Sequence, residues 1–186
     1  MLFNAFIILA VFLLLIFTCY LFPQRFRWVS ILVASVLFYI FLAGHWIILL
    51  LATGIMAYLG GIVIDACNDK MKKRTLMLFL SIMAIAALVY YKYSDFIVDS
   101  VFYILPGWQI TGPSQTLLLP LGISFFTFRV LSYLFDIYYG RLRYEKNPLM
   151  VILYVMFFPE IIAGPIDRPG SLIPQLRKPA DFDYEK

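Results

Sequence analysis

Charge is the scarcest property of this chain. Asp, Glu, Lys and Arg make up 14% of its 186 residues, against ~25% in soluble domains. That deficit excludes an ordinary water-soluble globule. There is one histidine, and there are two cysteines, Cys19 and Cys67. A tetrahedral zinc site needs more ligands than these scattered residues offer. The cysteines have no motif spacing; Cys19 sits in an apolar run and Cys67 in a basic loop, so both read as free thiols. No glycine-rich phosphate loop, Ser–His–acid pattern, internal repeat or low-complexity tract occurs. The net charge of +4 sits in short clusters at the ends of apolar runs. Such clusters set membrane orientation and do not point to nucleic acid.

What the chain has in excess is apolar length. It is 63% apolar and 18% aromatic, the composition of an all-α integral membrane protein in a lipid bilayer. About six hydrophobic segments are expected: five spans and a shorter helix, with one further helix lying in the interface. Leu2 to Phe22 is an uncharged run of 21 residues. It has no basic start or small-residue cleavage site and reads as a retained span. Trp28 to Ile64 is 37 residues without Asp, Glu, Lys or Arg, which suits two spans with a turn at Ala43-Gly44-His45-Trp46. His45, the only histidine, falls in that turn. It reads either as a solvated loop residue or as a base, with no carboxylate or nucleophile near it in sequence.

Asp65 to Arg74 is a basic loop, and Thr75 to Tyr93 a fourth span. Ser94 or Asp95 then offers an N-cap for a short surface helix over Phe96 to Leu105. Asp95 and Asp99, one turn apart, are a solvated face or a catalytic pair. Pro106-Gly107 and Gly112-Pro113 break the chain before the next span. After that span, Asn147-Pro148 is a helix start, and the helix is expected to run to about Phe158, ahead of Pro159. Pro159 to Leu176, broken at Gly164-Pro165, Pro169-Gly170 and Pro174, is either a re-entrant segment along a cavity or an interfacial loop. Loops 23–28, 65–74 and 140–147 hold nine of the fifteen Lys and Arg, while 43–46 and 94–116 hold none. That alternation predicts an N-terminus outside the cytoplasm.

The fifth span organises the rest. Pro120 can occupy its first turn, and Pro120 to Tyr139 gives 20 residues, enough for ~30 Å of hydrocarbon. Arg129 falls near its middle, where a cation costs ~2.5–3.5 kcal/mol on insertion scales. Arg129, Tyr133 and Asp136 share one helical face, with Ser132 beside them. The opposite face, Val130, Leu134 and Ile137, can meet lipid or neighbouring helices. Arg129 is either neutralised by Asp136 or Glu160 as a packing tie, or set in the wall of a substrate cavity.

Two motifs lie in this half of the chain: LPLGISFFTFRVLSYLFDIYYG at the fifth span, and FFPEIIAGPIDRPGSLIPQL at 157–176. Together they resemble the membrane-bound O-acyltransferase family, in particular its alginate O-acetyltransferase branch. Family members usually carry Gln where this chain has Arg129. The resemblance implies transfer of an acetyl or other short acyl group to hydroxyls of an extracytoplasmic polysaccharide, across a bacterial inner membrane. The implied donor is acyl-CoA or an acyl-carrier thioester, with no bound cofactor and no metal. A separate extracytoplasmic acyltransferase protein is a further implied partner. The family's catalytic His lies downstream of these motifs, and the chain reaches Lys186 without it. Residues 1–186 are therefore expected to be the N-terminal transmembrane part of such a domain, incomplete at the C-terminus, with no catalytic residue of its own. Arg129, Tyr133, Asp136, Glu160, Asp167 and Arg168 are its cavity or scaffold candidates. Intramembrane charge and a broken helix also suit a transporter or channel subunit, and an inactive truncated remnant is the third reading.

Overall fold

The computed structural model describes residues 11–18, 22–104, 120, 122–161 and 167–177, and every described element is helical. Helix α1 covers 11–18. It is followed by α2 (Gln24–Ala43), a 3-10 turn (Gly44–Trp46), α3 (Ile47–Ala66), α4 (Lys70–Ile104), α5 (Ile123–Tyr138), α6 (Pro148–Met156), α7 (Phe158–Ile161) and α8 (Pro169–Arg177). The all-α expectation holds for the described residues. Two stretches, Phe26–Ala66 and Lys70–Ser94, are long and apolar enough to cross a membrane.

The turn expected at 43–46 is present. Gly44 takes φ +56°, a left-handed conformation that costs a glycine nothing. The chain folds back there. The Phe158 N–H meets the Ser35 hydroxyl on α2, while Gly54 on α3 lies against Ile152. A straight rod would hold residues 35 and 54 ~28 Å apart. Residues 152 and 158, joined by a helical turn and two further peptides, are within ~13 Å of each other.

Helix α3 is the centre of the bundle and packs on α4, α5 and α6. Its buried face is Leu50, Thr53, Gly54, Ala57, Gly60, Gly61 and Ile64, a three–four repeat of mostly small residues. Lipid tails are as apolar as leucine, so membrane helices associate through close backbone approach, which small residues permit. A Cβ on Gly60 would stand 2.6 Å from Leu80 Cδ1, and one on Gly61 2.8 Å from Tyr133 Cε1. The two glycines let α4 and α5 close onto α3.

The bundle has chemically distinct ends. Gly61 against Tyr133 and Ile137 sets the C-terminal ends of α3 and α5 together. The 67–69 connection and the 139–147 loop therefore share one end, with the cations of 70–74 and Arg141, Arg143 and Lys146. At the other end the Trp46 and Tyr91 rings are 5.3 Å apart, and Lys92 Nζ donates to Ser124 Oγ at 3.1 Å. The α5 helix stops at the basic end in a Schellman arrangement. Gly140 has φ +70°, Arg141 N–H donates to the Asp136 carbonyl at 2.9 Å, and Gly140 N–H to the Ile137 carbonyl at 3.1 Å.

Several expectations are corrected. The fifth helix is Ile123–Tyr138, 16 residues, not 20. Gly122 at φ +72° turns the backbone left-handed and leaves Pro120 outside the helix. No cap breaks the chain at Ser94 or Asp95: α4 is one helix of 35 residues. Nothing between Lys70 and Ile104 is Gly or Pro, so hydrogen bonding simply propagates. The stretch expected as a separate surface helix prolongs α4 as far as Ile104. At ~1.5 Å per residue α4 is ~52 Å long, well beyond ~30 Å of hydrocarbon. Pro169 and Pro174 do not break the chain either; both lie in α8, Pro169 at its first position. The breaks expected at Pro106-Gly107, Gly112-Pro113 and Gly164-Pro165, together with Cys19 and the chain after Arg177, lie outside the described residues.

Candidate functional site

Asn147 starts α6 as its pattern predicts, accepting the Leu149 N–H at 3.0 Å with Pro148 in first position. The helix then stops at Met156, one residue earlier than Pro159 alone would require, because Phe157 swings to ψ 104°. An uninterrupted helix would send the Phe158 N–H back to the Tyr154 carbonyl. Instead it goes to Ser35 Oγ at 3.4 Å. Phe158 is clamped by Phe12 of α1 and Phe38 of α2, each with ring centroids 5.4 Å away. The Tyr154 carbonyl is thereby freed in the protein interior.

Arg129 takes it. Its Nη1 donates to the Tyr154 carbonyl at 2.5 Å, and its Nη2 pairs with Glu160 Oε2. The guanidinium carbon lies 5.4 Å from the Tyr154 ring centroid and 5.9 Å from that of Phe157. Arg129 is 1% exposed and Glu160 7%. One cation thus meets a carboxylate, a carbonyl at the negative end of a helix and two aromatic faces. A buried charge with fewer partners would be costly. Both α6 and the Arg129–Tyr138 segment of α5 rise ~13 Å from the basic end, so the tie lies that far inside the bundle.

The other candidates are placed around it. Tyr133 packs 6.4 Å from Tyr154, ring to ring, and its hydroxyl accepts the Glu145 N–H at 3.0 Å. Tyr154 OH donates to the Asp167 carbonyl at 3.2 Å. Asp136 belongs elsewhere: at the end of α5, its Oδ1 is 3.6 Å from Arg141 Nη1. Arg168 is exposed; its carbonyl accepts the Ser171 and Leu172 N–H groups and opens α8. Val130, Leu134 and Ile137 are fully buried and meet helices, not lipid. Arg177 of α8 reaches Glu145 at 2.5 Å, so after the break the chain returns to the basic end.

Sequence reasoning missed Tyr154, Ser35 and Gly61. A signal existed for the break but not for Tyr154 itself: Pro159 has no N–H for the Val155 carbonyl and disfavours helix at Phe158. Among the described residues no three His, Cys, Asp or Glu side chains converge as metal ligands.

A helical chain with membrane-length apolar stretches and a buried charge tied into a broken helix has the character of a membrane protein. Its relatives say of which kind. The chain is 34% identical over 158 residues to the probable alginate O-acetylase AlgI of Pseudomonas putida, covering 84% of this chain and 33% of that protein. It is 33% identical to the probable alginate O-acetylase AlgI of Azotobacter vinelandii, covering 84% and 32%. To the peptidoglycan O-acetyltransferase of Helicobacter pylori it is 28% identical over 171 residues, covering 79% and 32%. The chain is thus related to enzymes of the membrane-bound O-acyltransferase type, as the two motifs imply. It spans about a third of the length of these curated relatives. No family model matches the chain, and no solved structure matches it significantly.

Proposed function

We propose that this chain is the membrane scaffold part of an O-acyltransferase that moves an acetyl group to hydroxyls of an extracytoplasmic polysaccharide. The similarity to O-acetylases of alginate and to a peptidoglycan O-acetyltransferase, over most of the chain, carries the reading. In it the chain is multi-pass in a bacterial inner membrane, with five spans, a re-entrant α6–α7–α8 unit and the N-terminus outside. The gathering of basic loops at one end of the bundle supports that orientation, since cytoplasmic loops carry the excess of Lys and Arg. The return of α8 to the basic end supports the re-entrant reading, because Arg168 and Arg177 then need not lie outside.

Donor and acceptor come from opposite sides: an acyl-CoA or acyl-carrier thioester from the cytoplasm, and a polysaccharide hydroxyl from outside, directly or through a separate extracytoplasmic acyltransferase protein. Arg129 and Glu160 are scaffold residues of that path. They hold α6 broken at mid-depth, where irregular backbone persists only inside protein or beside a wet cavity. Tyr133 and Asp167 support the walls around it, while Asp136 and Arg168 hold the end of α5 and the start of α8 as scaffold.

Deleting the gene in its host and measuring alkali-released acetate from the envelope polysaccharide tests the reading. A loss of ester acetate, restored by the gene in trans, is the expected result; unchanged acetate refutes it. Arg129→Leu in the whole protein then tests the scaffold role. Normal expression with undiminished acetyl transfer would remove Arg129 from the site.

A further inference from the structure

On the outside of the bundle, α3 and α4 enclose a groove of about 420 Å³. Its walls are Ala52, Met56, Leu59 and Val63 on α3, and Leu76 and Leu80 on α4. Leu59 and Val63 are more than half exposed. From Ala52 to Val63 the groove runs ~16 Å along α3, close to the ~15 Å depth of one leaflet's hydrocarbon.

The groove points at the basic end. Leu80, Leu76 and then Lys72 and Lys73 follow one another at intervals of three and four residues, so the two lysines continue the same face of α4. Side chains on a helix lean toward its N-terminus, which here is the way out of the hydrocarbon. Lysines so placed keep their stems on apolar surface and their ammonium groups at head-group level. Neither has an acidic partner among the described residues. The nearest acid in sequence, Asp69, is turned to the Met71 N–H at 2.9 Å.

We propose that this groove is a binding site for an anionic phospholipid of the leaflet at the basic end. One acyl chain lies between α3 and α4, and the phosphate meets Lys72 and Lys73. Two matches carry the assignment: the groove has the length of an acyl chain's half of the bilayer, and its mouth has charge opposite to that of an anionic head group. Basic pockets between membrane helices recognise anionic lipid head groups in this way. The site is independent of acetyl transfer and requires only residence in a membrane.

The test places the full chain in phosphatidylcholine nanodiscs doped with acyl-spin-labelled phosphatidylglycerol or phosphatidylcholine. The readout is the motionally restricted fraction of each label. Preferential restriction of phosphatidylglycerol is expected, falling about fivefold for each lysine removed in Lys72→Gln and Lys73→Gln. Ala52→Phe, an exposed position at the far end of the groove, is expected to lower the restricted fraction of both lipids and keep their ratio. Lys70→Gln/Arg74→Gln removes the same charge off the groove line and should leave the preference in place. Equal restriction of both lipids by the native chain overturns the proposal. So does a preference that survives loss of Lys72 and Lys73, or one that Lys70→Gln/Arg74→Gln abolishes equally.

Discussion

Arg129→Met leaves the Glu160 carboxylate in a site that is 7% exposed, with its cation gone. It also orphans the Tyr154 carbonyl, which Arg129 Nη1 occupies at 2.5 Å. Removing one partner of a buried ion pair costs ~3–5 kcal/mol, because the survivor keeps its desolvation penalty and loses its Coulombic return. For a chain of this size each kcal/mol moves Tm by ~2–4 °C, so a fall of ~6–20 °C is expected. Glu160→Met should be comparably harmful, since it strands the cation. The double variant Arg129→Met/Glu160→Met removes both charges and fills the site with apolar volume, a change that is often near neutral. The Tyr154 carbonyl still lacks its donor there, which leaves ~1–3 kcal/mol of loss. The double variant should therefore be more stable than either single one. Thermal unfolding in one fixed detergent, followed by tryptophan fluorescence, measures all four proteins. Single variants within ~1 kcal/mol of the native chain, or a double variant whose loss equals the sum of the singles, would refute the pairing argument.

Gly61→Ala drives a methyl to 2.8 Å from Tyr133 Cε1 and 2.9 Å from Ile137 Cδ1; overpacking of this kind costs ~1–3 kcal/mol, read as a lower Tm in the same assay. Asn147→Ala removes the cap on the Leu149 N–H and should cost ~1 kcal/mol. Arg177→Ala breaks a pair whose arginine side chain is 56% exposed, so its effect should stay below ~1 kcal/mol; a larger loss would show that α8 docks through that contact. For topology, a Cys19→Ser background leaves Cys67 as the only cysteine within residues 1–186. A membrane-impermeant maleimide should label Cys67 only after permeabilisation, whereas His45→Cys in a Cys67→Ser chain should react in intact cells. The reverse pattern would invert the proposed orientation.

Features set within a few residues of one another were legible without a structure. The Asn147-Pro148 start, the reversal at Gly44 and the shared face of Arg129 and Tyr133 each follow from capping, backbone conformation or helical period. The same local signals misled where a stronger local force competed. Ser94 and Asp95 can cap a helix, but nothing there interrupts its propagation, so α4 continues. Pro120 suits a first turn, yet Gly122 at φ +72° comes later and sets the start. The Gly54, Gly60 and Gly61 stripe was in plain view and gained its meaning only from what lies against it.

The amino-acid sequence by itself determined that this chain is helical, apolar beyond what water tolerates, and burdened with a cation in an apolar helix that must be answered. It also determined the kinship to membrane O-acyltransferases, because two motifs survive as contiguous strings. Only the tertiary structure decided how the cation is answered. Asp136 is seven residues from Arg129 on the same helix, but it points to the basic end and meets Arg141. Glu160, 31 residues away, arrives because Phe157 turns the chain, Ser35 captures the Phe158 N–H, and the Tyr154 carbonyl is left for Arg129. Each of those contacts joins segments far apart in sequence, and their burial makes an unmet charge or carbonyl too costly to persist.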